Sequence, residues 1–472
     1  MNPKTLSRRL FLQRLVAGSA ALAGTSILPG QALFAAPGDI PKTLVNLMLY
    51  GGADLRFVFA PDPATADANY INQYWQARRA LYSSGYDNYA EMFTGEYTRV
   101  SDTFAFGIHN SCGWLISQFI SGNVAIIANT YGSLNRRHDH SQLIVESGDL
   151  TASRTFIDRD GWGGRLVEAL SDIPIPNVVE LSSNVQTFCN GTNSTFRLAQ
   201  VIHAQNTRDM GLPQPSATGN SSDDNLIRAL TAYYTARAVE IENEKPPTWP
   251  YRKFFQHHAS ISTFGNAIAA QLASIPMPEA LQNLNINGSF AQQCRNLFDA
   301  CQVPDILNHR IMSMSYGGWD THTSQNGRIV GNLSDILGSD GGLATTSNML
   351  STQANNNLVY HLSWDFGRQL AANGANGTDH GRGNYTILIG TPLQGGTYGD
   401  LFPNREAIPE PGDSQGRAPF EIPGRDIEGL TSLEHIWAAH SNWLQPGTSG
   451  SVFPGAAGSP IESGVSFTSL YS

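Results

Sequence analysis

Ile311-Met312-Ser313-Met314-Ser315-Tyr316 runs straight into Gly317-Gly318-Trp319-Asp320-Thr321-His322, and this junction directs the fold reading. The first half is strand-like. The second half is a glycine turn ending in a carboxylate and an imidazole. In extended backbone, residues two apart point the same way, so Asp320 and His322 can grip one ion together. The same layout recurs along the chain. Thr43 to Tyr50 reads as a buried strand that breaks into Gly51-Gly52-Ala53-Asp54. Val124 to Asn129 runs into a polar loop ending in Arg136-Arg137-His138-Asp139-His140, and Ser141 to Glu146 reads as the start of a helix. Leu358 to Trp364 is followed by Asp365-Phe366-Gly367-Arg368, and Asp379-His380 sits inside the glycine-rich stretch 373–383. Val178 to Leu181 and Tyr385 to Ile389 are further strands. Apolar residues recur at helical spacing from Asp223 to Glu244 and from Arg252 to Ala273. Ser221 and Ser222 stand as caps before the first of these, and Ser432 to Leu444 reads as a closing helix.

Strands that alternate with helices predict an α/β fold, with a parallel or mostly parallel sheet covered on both faces. In such sheets the C-terminal strand ends line the functional edge. The turns carrying Asp54, Arg136 to His140, Asp320 with His322, and Asp379 with His380 would gather there. Mixed carboxylate and imidazole donors suit zinc, manganese or similar divalent ions. A lone Asp in such a turn is ordinarily a cap, and a lone His is ordinarily structural; four such turns together are more specific. The aromatic and polar stretch from Phe57 to Phe106 reads as an insertion over that edge. The Gly-, Ser- and Pro-rich tail from Pro446 reads as loosely held.

The N-terminus has an export layout. Ser7-Arg8-Arg9-Leu10-Phe11-Leu12 matches the twin-arginine pattern, an uncharged apolar stretch runs from Leu15 to Leu28, and small residues follow at Ala35-Ala36. The expectation is a signal in residues 1–36, a domain in 37–445 and a tail in 446–472. The expected location is the periplasm, reached already folded through the twin-arginine translocase. Leu33 or Phe34 occupies the place where a small residue favours cleavage, so retention as an anchor, or an extracellular location, stays open. No other segment is long and apolar enough to span a membrane.

The chain carries 29 basic and 39 acidic residues. Lys4, Arg8, Arg9 and Arg14 would leave with the signal, so the remainder has 25 basic residues against 39, a net −14. That balance argues against nucleic-acid binding. Cys112, Cys189, Cys294 and Cys301 form no close pair, which argues against a thiolate zinc knuckle. The expectation for them is buried free thiols with one bridge at most.

The Gly51 to Asp54, Arg136 to His138, Gly317 to His322, Asp365 to Arg368 and Gly377-Thr378-Asp379-His380-Gly381 pieces, in this order, resemble domain-of-unknown-function family 1501. That family is similar to the alkaline-phosphatase and sulfatase superfamily. The resemblance implies an alkaline-phosphatase-like domain with two metal ions on the sheet edge. It implies that Asp54, Asp379 and His380 hold one ion. Asp320 and His322 would hold the other with a third histidine, His138 first, and His435 or His440 behind it. The reading is metal-assisted hydrolysis of a small anionic ester, phosphate or sulfate; Arg136, Arg137 and Arg382 are candidate partners for its oxygens, because a guanidinium fork fits a tetrahedral oxyanion. Arg137 stands where the family usually has Ser, in the region of the superfamily's nucleophile. Ser141, one turn on, is the substitute hydroxyl or simply a cap; attack by metal-activated water is the other branch. Asp365 stands where the family usually has Glu, and a salt bridge to Arg368 or Arg382 is its structural alternative. The rival to an enzyme is a scaffold of the same fold that binds a metal, ligand or partner without turnover.

Overall fold

The computed structural model describes residues 41–64, 74–82, 85–100, 105–155, 160–172, 176–184, 186–192, 200–210, 220–244, 264–402 and 429–472. The export segment 1–36, residues 252–263 of the expected second long helix, and parts of the 57–106 stretch lie outside them.

The strands in chain order are β1 (Thr43–Leu49), β2 (Phe59–Pro61), β3 (Tyr97–Arg99), β4 (Phe106–His109), β5 (Val124–Tyr131), β6 (Asn177–Glu180), β7 (Gln200–His203), β8 (His309–Tyr316), β9 (Leu358–Trp364), β10 (Arg368–Ala372), β11 (Thr378–His380), β12 (Asn384–Ile389), β13 (Gly396–Tyr398) and β14 (Thr431–Ser432). β1 is buried at all seven positions and pairs in parallel with β8 on one side and β9 on the other. A near-continuous apolar run is what a strand covered on both faces requires. The main sheet has the order β13-β5-β12-β9-β1-β8-β6-β7, with β14 beside β5.

Among the described strands of this sheet, only β12 runs against the rest, antiparallel to β5 and β9. The cause is local. β9 delivers the chain to the C-terminal edge, and the β10–β11 hairpin keeps it there. β12 starts four residues after β11 ends. No length remains for the crossover that a parallel strand needs.

Helices flank the sheet in two packed groups. Gly113–Ile120, Gly288–Gln302, Gln325–Leu337 and Gly342–Met349 pack on one another, and Trp162–Ala169, Leu433–Leu444 and Ser449–Val452 form the second. The molecule is thus a mixed α/β protein with a large, mostly parallel central sheet. The Phe57-to-Phe106 stretch contributes a small antiparallel sheet, β2-β4-β3, packed around Trp75, Tyr82, Phe93 and Tyr97.

One expectation is corrected. The tail from Pro446 is not loosely held: Leu470 is fully buried, and Tyr471 stacks on Trp443 at 4.9 Å and hydrogen-bonds His440. A few large apolar groups spaced through polar residues dock it, which composition alone conceals. All four cysteines are buried free thiols, within what the sequence predicts. Among the described residues, no helix is long and apolar enough to cross a membrane.

Candidate metal centre

The C-terminal ends of β1, β5, β8 and β9 open onto one edge, where the β10–β11 hairpin folds over them. Close approach requires glycine at two places. Gly51 takes φ +119°, and a Cβ there would lie 2.5 Å from the Asp320 amide nitrogen. At Gly377 a Cβ would lie 2.2 Å from the His322 carbonyl carbon. The hairpin turn is held by Asn373, whose side-chain oxygen accepts from the Ala375 and Gly377 amides and whose amide donates to the His322 carbonyl.

Donor atoms of His138, Asp320 and His380 all lie within 4.8 Å of one another. His322 Nε2 joins them, 3.1 Å from Asp320 Oδ1 and 2.9 Å from His380 Nε2. His380 Nε2 is itself 3.1 Å from the same oxygen, and His138 Nε2 is 3.7 Å from Asp320 Oδ2. Phe366 packs against the rings of His138 and His380.

The far ring nitrogens fix the proton positions. His380 Nδ1 lies 2.9 Å from the Arg136 carbonyl, which can only accept. His138 Nδ1 lies 2.7 Å from Asp365 Oδ2, and His322 Nδ1 lies 3.0 Å from Asp379 Oδ1. Each ring donates outward through Nδ1, so each neutral ring turns a bare Nε2 inward. Bare nitrogens 2.9 Å apart, both against a carboxylate oxygen, repel unless a cation lies among them. Zinc ligands at ~2.0–2.1 Å in tetrahedral array stand about 3.3 Å from one another, close to the spacing here. Carboxylate and carbonyl partners behind ligating histidines are the usual means of orienting them. The donor set therefore fits a divalent cation.

The electrostatics agree. Burial pushes the His380 imidazole below its ordinary range, favouring the neutral ring. The Asp365 hydrogen bond raises His138, making its nitrogen more basic. Burial alone would raise the Asp320 carboxyl, yet the hydrogen bond and charge of Arg368 bring it down to about 2. Burial likewise opposes ionisation of Asp379, but Asn373 and His322 hold it below the usual carboxylate range.

The structure brings together His138, Asp320, His322, Asp379 and His380, with Asp379 behind His322. Asp54 lies at the same edge but is buried and otherwise engaged. It accepts from Arg78 Nη1 and Nη2 at 2.9 and 3.2 Å and from Gln325 at 2.7 Å. Ser141 is fully buried, and its hydroxyl donates to Ser133 and Asn135. Exposed Arg137 pairs with Asp139. Arg136 is exposed and Arg382 half-buried, while His140 is held by Asn135 and Ala152. His435 and His440 lie elsewhere, on Ser459 and on Tyr471 with His361.

Asp365 makes no bridge to Arg368. It accepts from His138, Gln142 and the Gly52 amide, and Arg368 turns instead to Asp320 at 2.7 Å. Two groups were missed by sequence reasoning: Arg78, which lies in a stretch without pattern, and Gln325, which links Thr321, Thr378 and Asp54.

Residues 283–403 match the family model described as protein of unknown function (DUF1501). That span contains Asp320, His322, Asp365, Asp379 and His380 but neither Asp54 nor His138. No curated protein matches the chain.

Proposed function

We propose that this protein is an exported hydrolase of phosphate or sulfate esters with an alkaline-phosphatase-like fold, dependent on a divalent cation held by His138, Asp320, His322 and His380. The convergence of three bare imidazole nitrogens on Asp320 carries the reading. A divalent cation there would polarise an ester oxygen and neutralise developing charge. The chain's own residues do the rest. Arg136, whose carbonyl holds His380, and Arg137 sit on the loop beside the cluster, and their guanidiniums suit a tetrahedral oxyanion. Arg368 fixes Asp320, and Phe366 limits water on one side of the rings. Export follows from Ser7 to Leu12, and Lys at both Arg8 and Arg9 is expected to retain the precursor in the cytoplasm; normal periplasmic recovery would sink that part.

No Ser or Thr hydroxyl among the described residues hydrogen-bonds His138, Asp320, His322 or His380. A Ser-linked intermediate therefore has less support than attack by water. The same observation favours the second reading, a metal-bearing scaffold without turnover. The test is an aryl-phosphate and aryl-sulfate screen of metal-loaded protein, with His380→Gln and Ser141→Ala alongside. Expected are turnover in the parent, its loss with the metal in His380→Gln, and most activity kept in Ser141→Ala. Loss of turnover in Ser141→Ala at full metal content would restore the Ser branch. Absence of turnover in fully metal-loaded parent would favour the scaffold.

A further inference from the structure

We infer that the edge takes one divalent cation per chain, with two buried guanidiniums, Arg78 and Arg368, standing where further positive charge is needed. This rests on the metal reading above and deepens it. The donors distributed over two ions by the family resemblance do not stay apart in the fold. His380 and His322 meet nitrogen to nitrogen at 2.9 Å, and both reach the same Asp320 oxygen.

Two of the three remaining carboxylates are committed through both oxygens. Asp54 is gripped by the Arg78 guanidinium through both its oxygens, and Gln325 adds a third bond. Both ends of that ion pair are buried, with side-chain exposures of 0% and 1%. Asp379 Oδ1 accepts from His322 Nδ1 and Asn373. Asp365 accepts from His138, Gln142 and Gly52. Asp54 and Asp365 thus have both oxygens engaged, and Asp379 is tied behind His322 through Oδ1.

Arg368 is as firmly placed as a bound ion. Its side chain is fully buried; Nε donates to the Gly52 carbonyl at 2.7 Å and Nη1 to the Thr378 carbonyl at 2.8 Å. Nη2 donates to the carbonyls of Gly51 and Trp319 and to Asp320. One guanidinium thus ties together the ends of β1, β8 and the hairpin. Two buried guanidiniums, Arg78 on Asp54 and Arg368 on Asp320, thus already stand against the carboxylates of this edge.

The test uses full-length protein stripped with a chelator, then titrated with zinc alone or manganese alone by calorimetry, with bound metal counted by elemental analysis. One equivalent per chain is expected. His138→Gln, His322→Gln and His380→Gln should each abolish that same equivalent. All three side chains are partly exposed, at 33%, 41% and 20%, so none of these changes opens a core cavity. Asp54→Asn, which keeps an acceptor for Arg78, should still bind one equivalent. Two tight equivalents in the parent, or a histidine variant that loses one equivalent and keeps another, would overturn the single-ion inference and leave the metal reading standing. No bound metal in the folded parent would overturn both.

Discussion

At His138 the proton position is set by Asp365. An ionised carboxylate only accepts, so Nδ1 keeps its hydrogen and Nε2 is free to face Asp320. Asp365→Asn puts an amide in the same space. If its NH2 faces the ring, the proton moves to Nε2 and points into the cluster. Partners of this kind are typically worth about 10- to 100-fold in metal affinity, so zinc binding should weaken by that order with little change in melting temperature. Unchanged affinity would mean that Asp365 does no more than hold the Gly52 amide. At this scale the sequence was legible where a motif carried its own geometry. Asp320 with His322 announces two groups on one side by spacing, and both reach the cluster; Asp379 with His380 stood out by its glycines, and only His380 turns to Asp320 while Asp379 sits behind His322. It was not legible where the partner is remote: no pattern in the chain shows that Arg78 would take Asp54, because that bond exists only once the Phe57-to-Phe106 stretch has folded over the edge.

The elements that aim these side chains are the β1, β8 and β9 ends and the β10–β11 hairpin. Gly377 is the contact between hairpin and turn. Ala there would put a methyl against the backbone of Thr321 and His322, and neither can retreat as a flexible side-chain tip could. Overpacking of this kind costs about 1–3 kcal/mol. Gly377→Ala should therefore lower the melting temperature and weaken metal binding together, since His322 would shift off Asp379. Weakened stability with unaltered metal affinity would show that the turn tolerates the displacement. The long buried strands were readable because continuous apolar runs flanked by glycine turns leave few alternatives; Leu358 to Trp364 is one. The reversed direction of β12 was not, because it depends on the hairpin holding the chain at one edge rather than on anything within Asn384–Ile389. The docked tail was missed for a related reason: Leu470 and Tyr471 look like incidental apolar residues until Trp443 and His440 are beside them.

For the molecule as a whole, alternation of strands and helices made the α/β class legible, and the acidic balance was plain. The buried histidines were not. His309 and His361 are fully buried, and burial pushes both imidazoles down to about 3; His440 is also driven well below its ordinary range by burial and by His361 beside it. In the unfolded chain each would titrate near ~6.5. Between that value and about 4, the unfolded state therefore binds protons that the folded state refuses. Stability is then lost as pH falls, by about 1.4 kcal/mol per pH unit for each such histidine once pH is well below 6.5. Glu146 opposes this, because burial raises its carboxyl and the folded state takes that proton first. Asp320 and Asp379 act in the same direction as the histidines, but only at lower pH, where unfolded carboxylates begin to protonate. Denaturant unfolding of chelator-treated protein, which removes any contribution from metal loss, should show stability declining steadily from pH 6.5 to 4.5. His309→Leu removes one of the three groups, and neither ring nitrogen of His309 has a hydrogen-bond partner to lose. It should make the decline shallower by about 1 kcal/mol per pH unit. An identical slope in parent and variant would mean that His309 takes up its proton without unfolding, through an opening of the β8 start that the packed structure does not display.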